Sequence, residues 1–342
     1  MNASARDGPC TILALSVNTG VAAYCPHAPN SEGPRGFLDC LRMGLGSDTV
    51  LRFLDYVTDS PNPAHFVANL RRVGDDWRHL FAFNPSVLVP AAAALQLLRD
   101  RLVQLFWSTP HDRLLRRRLF GMQVLAARVA LVNDHTTGET LCRDWGLPSS
   151  RMRFVPFPVD TTFFRPADLH GHDATPYVLI PGNSDRVEDV VVALADTLDI
   201  NIIRVTADAR VKRYYANLRK PMPRLQLKAQ VTFAEIRTLY QHALATVLPV
   251  RNHRHPAGLH ALLESFACGT PVLATKGNTT RDYLEHGRHG LHLEGDVSAN
   301  LYQIKSALAD KPRLTDMGHA ARAAAETHSI EALAAAWQAA FL

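Results

Sequence analysis

Two stretches of this sequence gather residue types that can hold a phosphate. The first is Ile180-Pro-Gly-Asn-Ser-Asp-Arg186, directly after a short apolar run. Gly182 lets backbone approach a ligand closely, Asn183 and Ser184 supply polar groups, and Arg186 can grip a phosphate with two parallel donors. An ordinary glycine turn with a surface arginine accounts for the same residues. The second stretch runs from Leu248 to Thr275. Its loop carries Arg251, His253, Arg254 and His255, and a helix then opens near Ala257, Gly258 and Leu259. The start of a helix presents free amide donors and partial positive charge, which attract anions. Glu264 interrupts the apolar set Leu259, Leu262, Leu263 and Phe266, which puts an acid at the margin of a buried face. Such a carboxylate needs partners, and ribose hydroxyls or a neighbouring backbone turn would serve. A third candidate is His111, placed after Phe106-Trp-Ser-Thr-Pro110 at the end of an apolar run, with Asp112 beside it.

The elements that must position these groups alternate in type. Strands are expected at Thr11–Ser16, Leu80–Asn84, Val103–Ser108 and Val129–Val132, with helices at Val87–Arg99 and Leu114–Ala127. The second half repeats the scheme. Strands are expected at Tyr177–Ile180, Ile200–Thr206, Ala245–Val250, Pro271–Thr275 and Leu291–Leu293, and helices at Val187–Leu198, Phe233–His242, Leu259–Ala267 and Ala299–Ala309. Alternation of this kind predicts an α/β fold with parallel sheets covered on both faces. In such sheets ligands bind beyond the carboxyl ends of strands, where both candidate stretches fall. Thr136-x-x-Glu139, Asp185-x-x-Glu188 and Thr232-x-x-Glu235 read as capping boxes, Ser329 as the cap of a last helix, and Gly146 and Gly269 as helix ends. Prolines 156, 158 and 166 and the polar His170-Gly-His-Asp173 suggest a crossover between two domains. The expected division is 1–165 and 166–328, with a final helix over 329–342 packing back near the first domain.

The chain has 342 residues, 47% of them hydrophobic, enough for two cores. No uninterrupted apolar run is long enough for a spanning helix, and the N-terminus lacks the pattern of a signal peptide. The five cysteines are scattered, without metal-ligand spacing, and read as free thiols in a reducing cytoplasm. Lys+Arg total 37 against 32 Asp+Glu, a mild excess that suits an anionic substrate or an anionic membrane surface. The one dense basic run, Arg113 and Arg116 to Arg118, reads as a solvated helix face. The broad basic stripe with stacking aromatics that a nucleic-acid binder needs is missing.

Leu262-Leu-Glu-Ser-Phe-Ala-Cys-Gly-Thr-Pro-Val-Leu-Ala274 closely resembles the signature of family 4 of the retaining glycosyltransferases, a GT-B-fold group. The likeness continues through Thr279 to Asp296. Val155-Pro-Phe-Pro-Val-Asp-Thr-Thr-Phe-Phe-Arg-Pro166 is similar to that family's interdomain crossover, and 131–141 loosely matches the segment before it. The resemblance covers about residues 100–340 and is most specific over 258–296.

The resemblance implies two Rossmann-like domains facing each other across a cleft, with an acceptor in the first and a nucleotide sugar in the second. It implies transfer of a sugar from a nucleotide-diphosphate donor, UDP or GDP, to an acceptor hydroxyl, with retention of configuration and without a metal or other cofactor. Small-molecule, lipid-linked and glycan acceptors stay open, as does peripheral membrane contact. Glu264 would hold the donor ribose. The amides of Ala257, Gly258 and Leu259 would meet the sugar and phosphate. Arg186, with Gly182, Asn183 and Arg251, would hold the diphosphate, and His111 would serve the catalytic cleft. Asn18, Thr19 and Gly20, in the loop Ser16-Val-Asn-Thr-Gly-Val21, and Asp112 would lie on the acceptor side. The chain departs from the family at two places. Pro256 stands where a second glutamate is usual, and Val190–Val192 occupy the stretch of a phosphate-gripping lysine, for which Arg204, Lys212 or Arg251 could substitute. These gaps leave a second reading, a catalytically silent subunit that binds nucleotide sugar or a partner enzyme, and because fold does not fix function a third is a nucleotide-sugar epimerase or phosphorylase on the same fold.

Overall fold

The computed structural model of the chain describes residues 10–16, 33–45, 49–55, 63–73, 77–82, 89, 92–93, 96–98, 100–107, 109, 114–167, 175–183, 185–218, 220–251 and 257–340. They fall into two compact units. One takes in the described residues of 1–29, 37–156 and 333–342; the other takes in those of 30–36 and 157–332.

The first unit runs β1 (Cys10–Ser16), α1 (Phe37–Leu45), β2 (Thr49–Asp55), α2 (Pro63–Val73), β3 (His79–Ala82), β4 (Leu102–Phe106), α3 (Leu114–Ala126), β5 (Val129–Val132), α4 (His135–Trp145) and β6 (Met152–Phe154). The strands form one sheet in the order β2-β1-β3-β4-β5-β6, each pair parallel. Every residue of β3, β4 and β5 is buried, as expected of parallel strands covered on both faces. Phe66 and Leu70 of α2, Phe120 and Val124 of α3 and Leu141 of α4 pack in one core with Leu80, Leu102 and Phe106. Trp337 is fully buried in this unit, stacked on Phe37 at 5.8 Å, and its indole N–H donates to the Pro156 carbonyl at 3.3 Å. His79 is buried at the start of β3, with Arg128 Nη1 3.4 Å from its Nδ1. Burial, then the nearby Arg128, Arg78 and Arg101, pushes its imidazole down to about 4.

The second unit runs β7 (Tyr177–Pro181), α5 (Glu188–Thr197), β8 (Asn201–Val205), α6 (Ala209–Ala216), β9 (Leu225–Lys228), α7 (Phe233–His242), β10 (Ala245–Leu248), α8 (Leu259–Ala267), β11 (Val272–Thr275), α9 (Asn278–Tyr283), β12 (Gly290–Leu293), α10 (Val297–Ala309) and α11 (Lys311–Thr327), and α12 (Ile330–Ala339) begins in it. Its sheet has the order β12-β11-β10-β7-β8-β9, again all parallel. The chain winds outward from β7 through β8 to β9, then restarts beside β7 with β10 and winds the other way. The direction therefore switches between β7 and β10, and such a switch point opens a crevice at the strands' carboxyl ends.

Arg204 of β8 fixes that end of the sheet. It is fully buried and holds Glu188 with Nη2 to Oε1 at 2.7 Å and Nε to Oε2 at 3.2 Å. Its Nη1 also donates to the carbonyls of Ile180, Gly182 and Val205 at 3.2, 2.7 and 2.7 Å. The segment after residue 156 is packed as well. Asp160 is buried and accepts from the Arg35 amide at 2.8 Å, Arg35 Nη2 at 2.9 Å and Thr162 Oγ1 at 2.6 Å. Arg322 of α11 donates to the carbonyls of Thr161, Phe164 and Ala267.

Several local expectations need correction. The helix over 87–99 stops early. Gln96 adopts φ 53°, with Gln96 N bonded to Ala93 O and Leu97 N to Ala92 O, the pattern of a left-handed helix end. The Asp185 box does not form. Asp185 has φ 54°, its carbonyl accepts from Arg251 N, and Val187 caps α5 without a side-chain bond. At α4 the cap is Asp134, two residues before Thr136: its Oδ1 takes Thr137 N at 2.7 Å and its Oδ2 takes Thr137 Oγ1 at 2.8 Å, so Thr136 already lies inside the first turn. The Thr232 box forms as expected, Ser329 Oγ accepts from Ala332 N, and Gly146 and Gly269 end their helices in the left-handed region. Strands β2, β6 and β9 and helices α1, α2 and α6 add to the expected elements, and α11 extends the helix that the alanine-rich stretch 320–325 favours. Cys40, Cys142 and Cys268 are free thiols.

Replacing Arg204 with Met leaves Glu188 and three carbonyls without their buried cation. The expected loss is about 3–5 kcal/mol in denaturant unfolding, as for other broken buried pairs; a loss under about 1 kcal/mol contradicts this role. His79 predicts a pH effect. Its folded value lies below its unfolded one, so between about 6.5 and 4 the unfolded chain binds the extra proton and stability falls as pH falls. His79→Phe should flatten the decline in melting temperature across that window, and an unchanged slope would refute the assignment.

Candidate functional site

The two strand-to-helix turns singled out in the sequence meet at the switch point of the second sheet. Strand β7 is buried along its length and ends at Pro181. Gly182 follows with φ 111°, where only glycine is at ease. The chain then doubles back, so that Arg186 Nε donates to the Pro181 carbonyl at 2.9 Å. A Cβ on Gly182 would lie 2.4 Å from Arg186 Nη2, so the bare backbone is what admits the guanidinium. On the other side, Gly258 (φ 89°) leads into α8, and a Cβ there would lie 3.6 Å from the same Nη2. Arg186 thus lies buried between two glycine turns.

Backbone bonds lace the turns together. Arg186 and Val250 form an antiparallel bridge, Val187 N donates to Pro249 O at 2.7 Å, and Arg251 N donates to Asp185 O at 2.9 Å. The guanidinium pKa is pushed down to about 10, by burial first and by repulsion from Arg204 second, while Tyr240, Glu188 and Asp185 oppose the drop. The group keeps its proton at neutral pH, in surroundings that penalise a cation. An anion placed beside it recovers part of the lost solvation.

Helix α8 opens at Gly258 without a side-chain cap, which leaves its first amides to other acceptors. The helix is apolar and buried, and Leu259, Leu262, Leu263 and Phe266 are all in the core. Glu264 is buried among them and accepts from the Tyr240 hydroxyl at 2.9 Å. Tyr240 sits in the last turn of α7 and is itself held, its carbonyl accepting from Thr270 Oγ1 at 2.6 Å. Ser265 bonds Thr246 Oγ1 at 2.8 Å and the Thr270 carbonyl at 3.0 Å, fixing the rotation of α8 against β10. Nothing in the spacing of the sequence marks Tyr240 as Glu264's partner; the two lie 24 residues apart and meet through the packing of α7 on α8. His260, in the first turn of α8, packs edge-on against Phe157 at 4.4 Å, and burial pushes its imidazole down to about 4.

Gly182 and Arg186 thus lie in the turn after β7, Ala257 and Gly258 in the turn that opens α8, and Leu259 and Glu264 on α8 itself. Asn183 is turned to its own sheet, its Oδ1 accepting from Ala207 N at 2.7 Å and Thr206 Oγ1 at 3.2 Å. Arg251 is exposed, and its amide takes part in the lacing. Arg204, a possible stand-in for the phosphate-gripping lysine, is committed to Glu188 and three carbonyls, so it braces the turn. Lys212 lies half-buried one turn into α6. His111, Asp112, Asn18, Thr19, Gly20, Ser184, His253, Arg254, His255 and Pro256 lie outside the described residues. No cluster of metal-ligating side chains occurs among the described residues.

Residues 189–324 match the family model of glycosyl transferases group 1. The D-inositol 3-phosphate glycosyltransferase of Pseudarthrobacter chlorophenolicus is 30% identical over 230 residues, 60% of this chain and 54% of that protein. The chain therefore spans about half the length of the curated relative it matches. Among solved structures, Anabaena HepE in complex with UDP-glucose superposes with a TM-score of 0.75 at 15% identity, over 96% of this chain and 98% of that one. A glycosyltransferase from Rickettsia africae gives 0.71 at 15% identity over 95% and 96%. The sucrose-phosphate synthase of Thermosynechococcus elongatus gives 0.69 at 16% identity over 95% and 96%. At such identities these likenesses establish the fold, which is GT-B: two Rossmann-like α/β units, each on a parallel sheet. Residues 189–324 and the stretch aligned with the curated relative are thus similar to glycosyl transferases of group 1.

Proposed function

We propose that this protein is a glycosyltransferase that moves a sugar from a nucleotide-diphosphate donor to an acceptor hydroxyl. The observation that carries the reading is the buried Arg186 guanidinium, set between the Gly182 and Gly258 turns beside the open start of α8. As the sugar–phosphate bond breaks, negative charge grows on the diphosphate. A fixed cation and aligned amides lower that barrier because they are oriented before the reaction begins. Gly258 and Leu259 offer bare backbone for the phosphate, and Glu264, steadied by Tyr240, takes the ribose hydroxyls.

The Anabaena neighbour was crystallised with UDP-glucose, and the curated relative is named for transfer to an inositol phosphate. The first favours a UDP-sugar as donor here, with a GDP-sugar as the alternative. We read the reaction as retaining and independent of a metal: Arg186 and the amides of α8 supply the charge stabilisation, and the departing phosphate takes up the acceptor's proton. His111 and Asp112 would serve the reacting sugar, and Asn18, Thr19 and Gly20 the acceptor. Residues 18–20 come soon after β1 in the sequence, and the first sheet switches direction between β1 and β3. Pro256, in place of the family's usual glutamate, favours one second reading, a silent subunit that binds donor without transferring sugar.

Thermal-shift measurements with UDP-, GDP-, ADP- and dTDP-sugars separate donors, since a ligand at a hundred times its Kd adds about 2.7 kcal/mol of stability. Silence toward all four would reject the donor site. Incubation with the best donor and an inositol phosphate, with the anomeric configuration of the product read by NMR, then tests transfer and retention. Arg186→Ala should lower kcat/KM about 100- to 1000-fold, the cost of losing one preorganised donor. Gly182→Ala should follow it in direction, because the added methyl displaces the same guanidinium. Glu264→Ala should act chiefly on the donor KM. Wild-type kinetics in all three would exclude this site.

A further inference from the structure

Helix α3 (Leu114–Ala126) of the first unit has two apolar sides, only one of which is packed. Phe120 and Val124 face the core and are buried. On the other side Leu115, Met122 and Leu125 are exposed, at 69%, 39% and 65% of their surface. Residues 115, 118, 122 and 125 follow the spacing i, i+3, i+7 and i+10 and so form one stripe along the helix. Arg118, also exposed, stands in the middle of that stripe. Arg117 lies to its side, with its guanidinium carbon 5.3 Å from the centre of the Trp145 ring. Arg151 reaches round to the Leu125 carbonyl at 3.5 Å. Acidic groups on the neighbouring helix α4, among the described residues, are Asp144, which is paired with Arg143, and the exposed Glu139.

We propose that this stripe is a docking surface for an anionic phospholipid bilayer. Its composition selects that occupant. A protein partner covering Leu115, Met122 and Leu125 would have to bury the Arg118 charge inside an apolar contact, which is costly without a partner acid. A bilayer surface takes the two kinds of group at different depths. The leucine and methionine side chains enter the acyl boundary, while the arginine stems lie along it and their guanidinium heads stay among lipid phosphates. The surplus of arginines over acids around the helix matches the negative surface potential of anionic lipid. The basic run that reads as a solvated face in sequence thereby becomes the charged rim of an apolar ridge. No helix among the described residues is long and apolar enough to cross a membrane, so the contact is peripheral.

Co-sedimentation of the full chain with vesicles tests the proposal, using phosphatidylcholine alone and phosphatidylcholine doped with phosphatidylglycerol. The protein should pellet with the anionic vesicles and not with the neutral ones, and release as salt is raised. Leu115→Ser/Leu125→Ser should weaken binding on the order of tenfold, since the exposed leucines supply the inserted area. Arg118→Gln should weaken it about fivefold, the share of one basic residue near such a surface. Far-UV circular dichroism melts should match the wild type, because all three positions are exposed; Arg118→Gln carries the test if the double variant melts early. The proposal is overturned by equal pelleting of wild type and both variants, or by no pelleting on anionic vesicles. A concentration-dependent dimer in sedimentation velocity that the double variant abolishes would overturn it too, by making the ridge a contact between copies of this chain.

Discussion

The C-terminal unit is organised around one buried cation. Arg186 is withdrawn from water and folded back onto the carbonyl of its own strand, between turns that come from distant parts of the sequence. That arrangement is expensive in isolation, since a guanidinium loses much of its solvation when buried. It persists because the surrounding backbone leaves little alternative. Gly182 has no side chain to exclude the group, Val250 pairs with it as a strand would, and Asp185 and Pro249 accept bonds that hold the two turns together. An anion beside the guanidinium would recover part of that cost, which is the physical basis of the proposed donor site.

A second arginine, eighteen positions on, shows how differently the same side chain can be used. Arg204 is as deeply buried, yet each of its three nitrogens is engaged by Glu188 or by carbonyls at the ends of β7 and β8. Its work is to satisfy carbonyls that would otherwise face the apolar interior and to fix the Gly182 turn from behind. Charge repulsion from Arg204 also contributes to the lowered pKa of Arg186, so the brace and the candidate phosphate ligand are electrostatically coupled. The acid on α8 follows the same logic. Glu264 sits in an apolar helix, and Tyr240 gives it a donor while Ser265 fixes the helix that carries it.

The first unit is built on the same plan, with a parallel sheet buried on both faces, but its surface tells more than its core. Helix α3 presents leucines to solvent beside arginines, an arrangement that costs free energy in water and suits a boundary between water and lipid.

Much of this was legible in the sequence alone, for reasons of local chemistry. Buried parallel strands demand apolar runs, so Tyr177–Ile180 and Val129–Val132 announce themselves; the Thr232–Glu235 box and the Gly146 and Gly269 ends involve residues within one turn of each other. The candidate glycines and Arg186 were visible because close approach and phosphate grip require those residue types. Other features escaped because they depend on partners far along the chain. Asp185 carries the letters of a capping box, but the bond from Arg251 pulls it into the left-handed region and Val187 caps the helix instead. Which carbonyls Arg186 and Arg204 reach and which donor Glu264 finds are settled only when β7 meets β8 and β10 and α7 meets α8, and which side of α3 is left uncovered only when that helix packs on the first unit's core. Sequence specifies what each residue is able to do, whereas desolvation and hydrogen-bond competition, which exist only in the packed chain, decide which of those capacities is used.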